Sequence, residues 1–162
     1  MRIPIAMFVL GAGAVAASSA VADEHGCQPV HASIVTSFVA CPADFQSPVG
    51  LCTQGTIDSG PLKGTTLFRV MTLVPGSADT MLYTGELRVT TKHGTVTLKD
   101  AGVLDAATGR YFEVQTVVGG TGQLEHATGL LTSQGFDIGT GFVGSLTGAI
   151  CHGGKGHRDD DS

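Results

Sequence analysis

Residues 80–98 read TMLYTGELRVTTKHGTVTL, and this stretch decides the fold class. β-Branched and aromatic residues are frequent on both sides of Lys92-His93-Gly94, a group that favours a tight turn. The stretch therefore predicts two antiparallel strands joined by a short connection. Similar runs recur along the chain at 31–39, 65–74, 110–118, 129–133 and 140–151. Short strands at this spacing predict an all-β sandwich or barrel, with at most a short helix near 123–131.

The composition excludes several classes of protein. The chain has 162 residues, with 9 Lys and Arg against 14 Asp and Glu, so its formal net charge is −5. A nucleic-acid-binding surface needs a basic stripe, and the basic residues here are few and scattered, so we expect no nucleic-acid partner. Only 14% of the residues are charged and the mean hydropathy is +0.24, which argues against a disordered acidic chain.

The first 22 residues have the three parts of a secretory signal peptide. Arg2 supplies a positive charge, and residues 3–17 are apolar apart from glycine and one proline. Ala20-Val21-Ala22 then has the small-x-small form of a signal-peptidase site. We therefore predict cleavage after Ala22 and a secreted or periplasmic mature protein. No later apolar run approaches the ~20 residues of a transmembrane helix, so we expect no membrane span after cleavage.

Four cysteines, Cys27, Cys41, Cys52 and Cys151, follow the predicted signal peptide. An even number of cysteines in a small exported domain predicts two disulfides, and three pairings are possible. We favour Cys41–Cys52, which would close a short loop, together with Cys27–Cys151, which would join the ends of the domain. The second bond requires the first and last strands to be neighbours, as they are in a closed barrel. The chain has no CxxC pair of the kind found in zinc sites.

Neither a nucleotide-binding loop nor a serine nucleophile is indicated. The glycines of 119–122 are followed by Glu125 where a dinucleotide fingerprint has a further glycine. Ser145 lies in a stretch whose glycine spacing does not match the GxSxG elbow. The histidines and aspartates of 152–162 could bind a metal weakly, but this segment is typical of a disordered polar tail. We therefore expect no cofactor and no metal site.

Residues 117–129, VVGGTGQLEHATG, resemble the signature of the allene oxide cyclase and dirigent superfamily, roughly V-V-G-G-T-G-x-F-x-x-A-x-G. Leu124 stands where that family usually has Phe. Thr128 stands where dirigent proteins usually carry a pocket Arg, which argues against dirigent-type coupling. The upstream stretch 47–55, SPVGLCTQG, is similar to the small secreted bacterial members.

The resemblance implies an eight-stranded antiparallel barrel of the calycin type, here spanning residues 23–151 between the signal peptide and the tail. It further implies an apolar cavity, a small lipophilic ligand and assembly as a homotrimer. Members with known activity cyclise, isomerise or orient such ligands without a cofactor. The alternative is a non-catalytic, disulfide-stabilised structural or interaction module that acts through its surface. The sequence leaves open whether the protein is an enzyme.

Polar residues that point into such a barrel are the candidates for chemistry. A carboxylate in an apolar interior has a raised pKa and can act as an acid or a base. The catalytic candidates are Arg69, Tyr83 and Glu113. The substrate-binding candidates are Phe68, Tyr111 and His126. For each polar residue, the simpler alternative is a solvent-facing side chain or a cross-strand pair.

Overall fold

The computed structural model describes residues 26–153, which form an eight-stranded antiparallel closed barrel. The predicted all-β class is confirmed, and of the two architectures that the strand pattern allowed, the barrel is the one present. The strands are β1 (Cys27–Val39), β2 (Cys52–Ile57), β3 (Gly64–Pro75), β4 (Thr80–Thr91), β5 (Gly94–Asp105), β6 (Arg110–Gly120), β7 (Thr128–Asp137) and β8 (Phe142–Cys151). The predicted signal peptide and the tail beyond residue 153 lie outside the described residues.

Each strand pairs with its neighbours in the sequence, and β8 returns to pair with β1. Closure gives each of the eight strands in residues 26–153 a hydrogen-bonded neighbour on both sides. The pairing sets Cys27 opposite Cys151, and these residues form one disulfide, while Cys41 and Cys52 form the other. Both favoured pairings are therefore confirmed. Two disulfides in a domain of this size indicate an oxidising, extracytoplasmic environment.

The strand boundaries differ from the sequence prediction at several places. β1 begins at Cys27, four residues earlier than expected, and β7 ends at Asp137, four residues later. β5 was expected to end at Leu98 but continues to Asp105, and β2 was not predicted. Near 123–131 the structure has only a 3₁₀ turn, Gly122–Leu124, before β7 begins. No helix within residues 26–153 is long and apolar enough to cross a membrane.

The two ends of the barrel are filled differently. At the end where β1 begins and β8 finishes, aliphatic side chains from the strands pack together with Leu62 and with Leu124 of the 3₁₀ turn. Val30, Val96 and Ile150, which are fully buried, belong to this group. We call this the packed end. At the opposite end, where β1 finishes and β8 begins, the interior is not filled, and we call it the cavity end.

Candidate ligand cavity

The cavity end contains a pocket of about 140 Å³. Its walls are mainly apolar and include Phe68, Val70, Leu87, Leu104 and Phe142. These side chains come from four strands and face inward because alternate residues of a strand point to the same face. An apolar cavity of about 150 Å³ is large enough to hold benzene, so this one suits a small apolar molecule.

The interior wall of the cavity carries a cluster of four polar side chains, Tyr83, Asp100, Glu113 and Gln115, which we call the acid cluster. The Tyr83 hydroxyl donates a hydrogen bond to Glu113 Oε1 at 2.7 Å. Gln115 Nε2 donates to Glu113 Oε2 at 3.0 Å and to Asp100 Oδ2 at 3.2 Å. One amide nitrogen thus connects two carboxyl groups that lie on neighbouring strands, β5 and β6.

Three members of the acid cluster are almost completely removed from water, and the fourth, Tyr83, is partly buried. Asp100 is 4% exposed, Glu113 is 9% exposed and Gln115 is 1% exposed. Burial, together with the neighbouring Glu113 carboxyl, raises the pKa of Asp100 to about 9. Burial also raises the pKa of the Glu113 carboxyl, against the hydrogen bonds from Tyr83 and Gln115, which lower it. Burial and the adjacent Glu113 carboxyl raise the pKa of the Tyr83 phenol.

The two carboxyl groups differ in which of them can best hold a proton. Glu113 accepts a hydrogen bond at each oxygen, and these two donors stabilise its ionised form. Asp100 receives one hydrogen bond, at Oδ2, and its Oδ1 is buried without a partner. A proton bound by the pair at neutral pH therefore belongs on Asp100. This arrangement places a protonated acid beside a more readily ionised carboxylate.

A second polar contact lies nearer the rim of the cavity. The Tyr111 hydroxyl and the Ser133 hydroxyl are 3.2 Å apart, within hydrogen-bond distance. The Tyr111 ring also packs edge-on against Phe142, and Phe142 packs in the same way against Phe38. Burial raises the pKa of the Tyr111 phenol. Tyr111 therefore presents both an aromatic ring and a neutral hydroxyl to the cavity.

Inward-facing glycines make room for the large side chains. A Cβ atom at Gly102 would lie 2.5 Å from Tyr83 Cζ and 2.9 Å from Glu113 Cγ. A Cβ atom at Gly144 would clash with the Tyr111 hydroxyl. Glycine in a strand often marks such a close approach. The aromatic positions in the cavity thus depend on the absence of a side chain on the adjacent strand.

The structure brings together four of the six sequence candidates. Phe68, Tyr83, Tyr111 and Glu113 all line the cavity. Whether any of them binds a substrate or takes part in catalysis stays a prediction.

Arg69 does not reach the cavity, so the expectation that it points inward was wrong. It lies on the outer face of β3, where its guanidinium is 2.9 Å from Glu86 and stacks over the buried Phe45 ring at 4.4 Å. It also donates to the backbone oxygen of Gln46 at 3.2 Å. Arg69 therefore anchors the β1–β2 loop to the outside of the wall.

His126 does not reach the cavity either. It is exposed and follows the 3₁₀ turn at the packed end, on the far side of the barrel from the cavity. It lies beside the described end of the chain, since a Cβ atom at Gly153 would be 2.7 Å from the His126 backbone oxygen. A cavity-lining role for His126 was therefore wrong.

Asp100 is the important residue that sequence reasoning missed. The expected end of β5 at Leu98 left Asp100 outside the predicted strands, whereas the strand continues through it. The signal was available, because Val96, Leu98 and Asp100 continue one inward-facing series at a spacing of two residues.

Within residues 26–153, no group of three or more His, Cys, Asp or Glu side chains is arranged to hold a metal ion. Comparisons with protein-family models, with curated proteins and with solved structures gave no match. The likeness of the chain to the allene oxide cyclase and dirigent superfamily therefore rests on residues 117–129 and 47–55. The structure shows a disulfide-stabilised, eight-stranded antiparallel barrel.

Proposed function

We propose that this protein is an extracytoplasmic barrel that binds a small, largely apolar molecule and presents it to the acid cluster. The observation that carries the proposal is a cavity whose walls are mainly apolar and whose two buried carboxyl groups are joined in one hydrogen-bonded cluster. Ligand sites commonly combine apolar walls with a few convergent polar groups of perturbed pKa.

The acid cluster argues against a purely structural module. Buried carboxyl groups destabilise a fold unless they are fully paired, and apolar residues of similar size usually serve as well or better. The packed end of this barrel is filled in that apolar way. At the cavity end, Asp100 Oδ1 and Gln115 Oε1 are instead buried without partners. Such groups are expected where a ligand is to be contacted.

The resemblance of residues 117–129 adds an activity to this proposal, namely cofactor-free isomerisation or cyclisation. Protonated Asp100 would donate a proton to a ligand oxygen, and ionised Glu113 would accept one from a ligand carbon. The Tyr83 hydroxyl and Gln115 amide hold Glu113 in position by hydrogen bonds. An acid and a base whose pKa values differ through their surroundings are what such a proton shift requires.

Binding is tested by titrating toluene into the mature protein and recording methyl NMR spectra. Saturable shifts are expected for Val70, Leu87 and Leu104, which line the cavity, while methyls of the packed end, such as Val30 and Val96, serve as the internal control. Shifts spread over both ends, or no saturable shift, would remove the ligand-binding proposal in favour of a surface-acting module.

The acid–base activity is tested with cyclohexanone in D₂O. Glu113 would take an α-proton while Asp100 protonates the carbonyl oxygen, and the enol would return with deuterium at carbon. The NMR signal of the α-protons should disappear faster with the native protein than with Glu113→Gln. Asp79→Asn, a change at an exposed loop carboxylate, is the matched control. Equal exchange rates for the native protein and Glu113→Gln would exclude Glu113 as the base.

We further propose self-association, which the resemblance implies as a homotrimer. An apolar row crosses the outer face of four strands, because the register pairs Val74 with Leu82, Leu82 with Val103, and Val103 with Phe112. Val74, Leu82 and Phe112 are exposed in the single chain. An exposed apolar patch of this kind is typical of a protein–protein contact, and a second copy of this chain would cover it.

A further inference from the structure

The polar atoms that the acid cluster leaves unused are all oxygens. The Tyr83 hydroxyl donates its hydrogen bond to Glu113, and the Gln115 Nε2 group donates one to each of the two carboxyls. Among the described residues, the buried atoms of the cluster that have no partner are Asp100 Oδ1 and Gln115 Oε1. Both residues line the cavity and are more than nine-tenths buried. Gln115 Oε1 can only accept a hydrogen bond, whereas Asp100 Oδ1 carries the proton when Asp100 is neutral. A ligand that completes the cluster must therefore bring an N–H group to Gln115 Oε1 and a basic atom that can take the Asp100 proton.

Among residues 26–153, no basic side chain balances the carboxyls inside the cavity. Of the residues that line it, none is Lys, Arg or His. Arg69, the basic residue expected there, lies outside the wall and pairs with Glu86. The interior is therefore acidic and lacks a countercharge, a condition that favours a cationic ligand and disfavours an anionic one.

The remaining wall suits the organic part of such a ligand. Phe68, Tyr83, Tyr111 and Phe142 all line the cavity, and aromatic rings attract organic cations as well as apolar groups. A volume of about 140 Å³ limits the ligand to roughly the size of a single substituted ring.

We propose that the cavity binds a small organic amine, with its nitrogen at Asp100 and Gln115 and its apolar body along the aromatic wall. A neutral amine would take the proton from Asp100 and form an ammonium–carboxylate pair. An amine already protonated in water would instead cause Asp100 to release its proton to solvent. The inference rests on the proposed ligand-binding function and adds the chemical class of the ligand. It also excludes carboxylic acids, which would meet like charge.

The affinity for a protonated amine should depend on pH, because Asp100 releases its proton when the amine binds. Asp100 faces Glu113 and Gln115 on β6 and lies near Tyr83 on β4, with the Glu86 carboxylate on the outer side of β4 adding to the negative field. Below the pKa of free Asp100, binding of an ammonium ion releases up to one proton. Its affinity should therefore rise by up to about tenfold per pH unit between pH 6 and pH 8.

The experiment is isothermal titration calorimetry of the mature, disulfide-intact protein with three ligands of matched shape: benzylamine, benzyl alcohol and benzoate. At pH 7.5 we expect benzylamine to bind about tenfold to a hundredfold more tightly than benzyl alcohol, the range expected for a hydrogen bond to a charged group. We expect no binding of benzoate. Asp100→Asn should remove the preference for the amine and keep the affinity for the alcohol, while Asp79→Asn should change neither.

The outcomes separate this inference from the proposed function. If benzyl alcohol binds as tightly as benzylamine, or benzoate binds, the cavity is a ligand site but the amine assignment is wrong. An amine preference that persists in Asp100→Asn would also overturn the assignment. If none of the three ligands binds to protein that is folded by circular dichroism, both the inference and the proposed function fail.

Discussion

Replacement of Asp100 by Asn should make the barrel more stable at neutral pH and less sensitive to pH. The pKa of Asp100 is about 9 in the folded protein, against about 3.9 for an unperturbed aspartate. Because the folded-state pKa is the higher one, the folded state binds more protons than the unfolded state between these values. The stabilisation is complete below the unfolded pKa and is lost as the pH rises through the folded pKa.

The size of the effect follows from the pH interval. One proton bound preferentially by the folded state lowers the free energy of unfolding by about 1.4 kcal/mol for each pH unit of increase. Between pH 5 and pH 7 the loss from Asp100 alone is therefore about 3 kcal/mol. The raised pKa of Glu113 acts in the same direction. The lowered pKa values of the exposed Asp58 and Asp105 act in the opposite direction, but only near and below pH 4.

The assay is urea unfolding at pH 5, 6, 7 and 8 for the native protein, Asp100→Asn and Asp79→Asn. An Asn at this position keeps an acceptor for Gln115 Nε2 and carries no charge. The free energy of unfolding of Asp100→Asn should therefore fall with rising pH by less than that of the native protein. Asp79→Asn should follow the native protein. Equal slopes for the native protein and Asp100→Asn would refute the claim that Asp100 is a buried acid.

Three further outcomes are expected. Replacing Cys27 and Cys151 with Ser should lower the free energy of unfolding by about 5 kcal/mol, because a loop spanning 124 positions is released. Opening the short Cys41–Cys52 disulfide should lower it by about 3 kcal/mol. Similar losses for the two disulfides in urea titrations would contradict the dependence on loop length. Gly102→Ala should lower the free energy of unfolding by about 1–3 kcal/mol and weaken toluene binding, because the added Cβ would displace the Tyr83 ring. Gly119→Ala should be tolerated, because nothing lies within 4 Å of a Cβ at that position. Equal thermal stability of the two variants would contradict this prediction. Leu82→Glu should yield monomers in sedimentation velocity if the outer apolar row joins copies, and an unchanged oligomer would exclude that row.

The sequence predicted four of the cavity residues, because alternation assigns a face to each residue of a strand once one inward position is known. The prediction that Arg69 points into the barrel was wrong for a physical reason. Around Arg69 the outer face of β3 is covered by the β1–β2 loop, with Phe45 against the guanidinium, so apolar side chains lie on both faces of this part of the strand. Its composition therefore gave no sign of which face was inside. The prediction that His126 lines the cavity was wrong because a short motif does not reveal which end of the barrel stays open.

The all-β class and the two disulfides could be inferred from the sequence, because strand periodicity, turn residues and cysteine number are local or countable properties. The contacts within the acid cluster depend on the tertiary structure alone. Asp100 meets Gln115 because β5 and β6 pair in that register, which itself includes an irregularity between Thr97 and Leu98. A bulge in β3 between Val70 and Thr72 similarly brings Leu73 to the cavity. Register and bulges depend on how neighbouring strands pack, and a shift of one residue reverses every face.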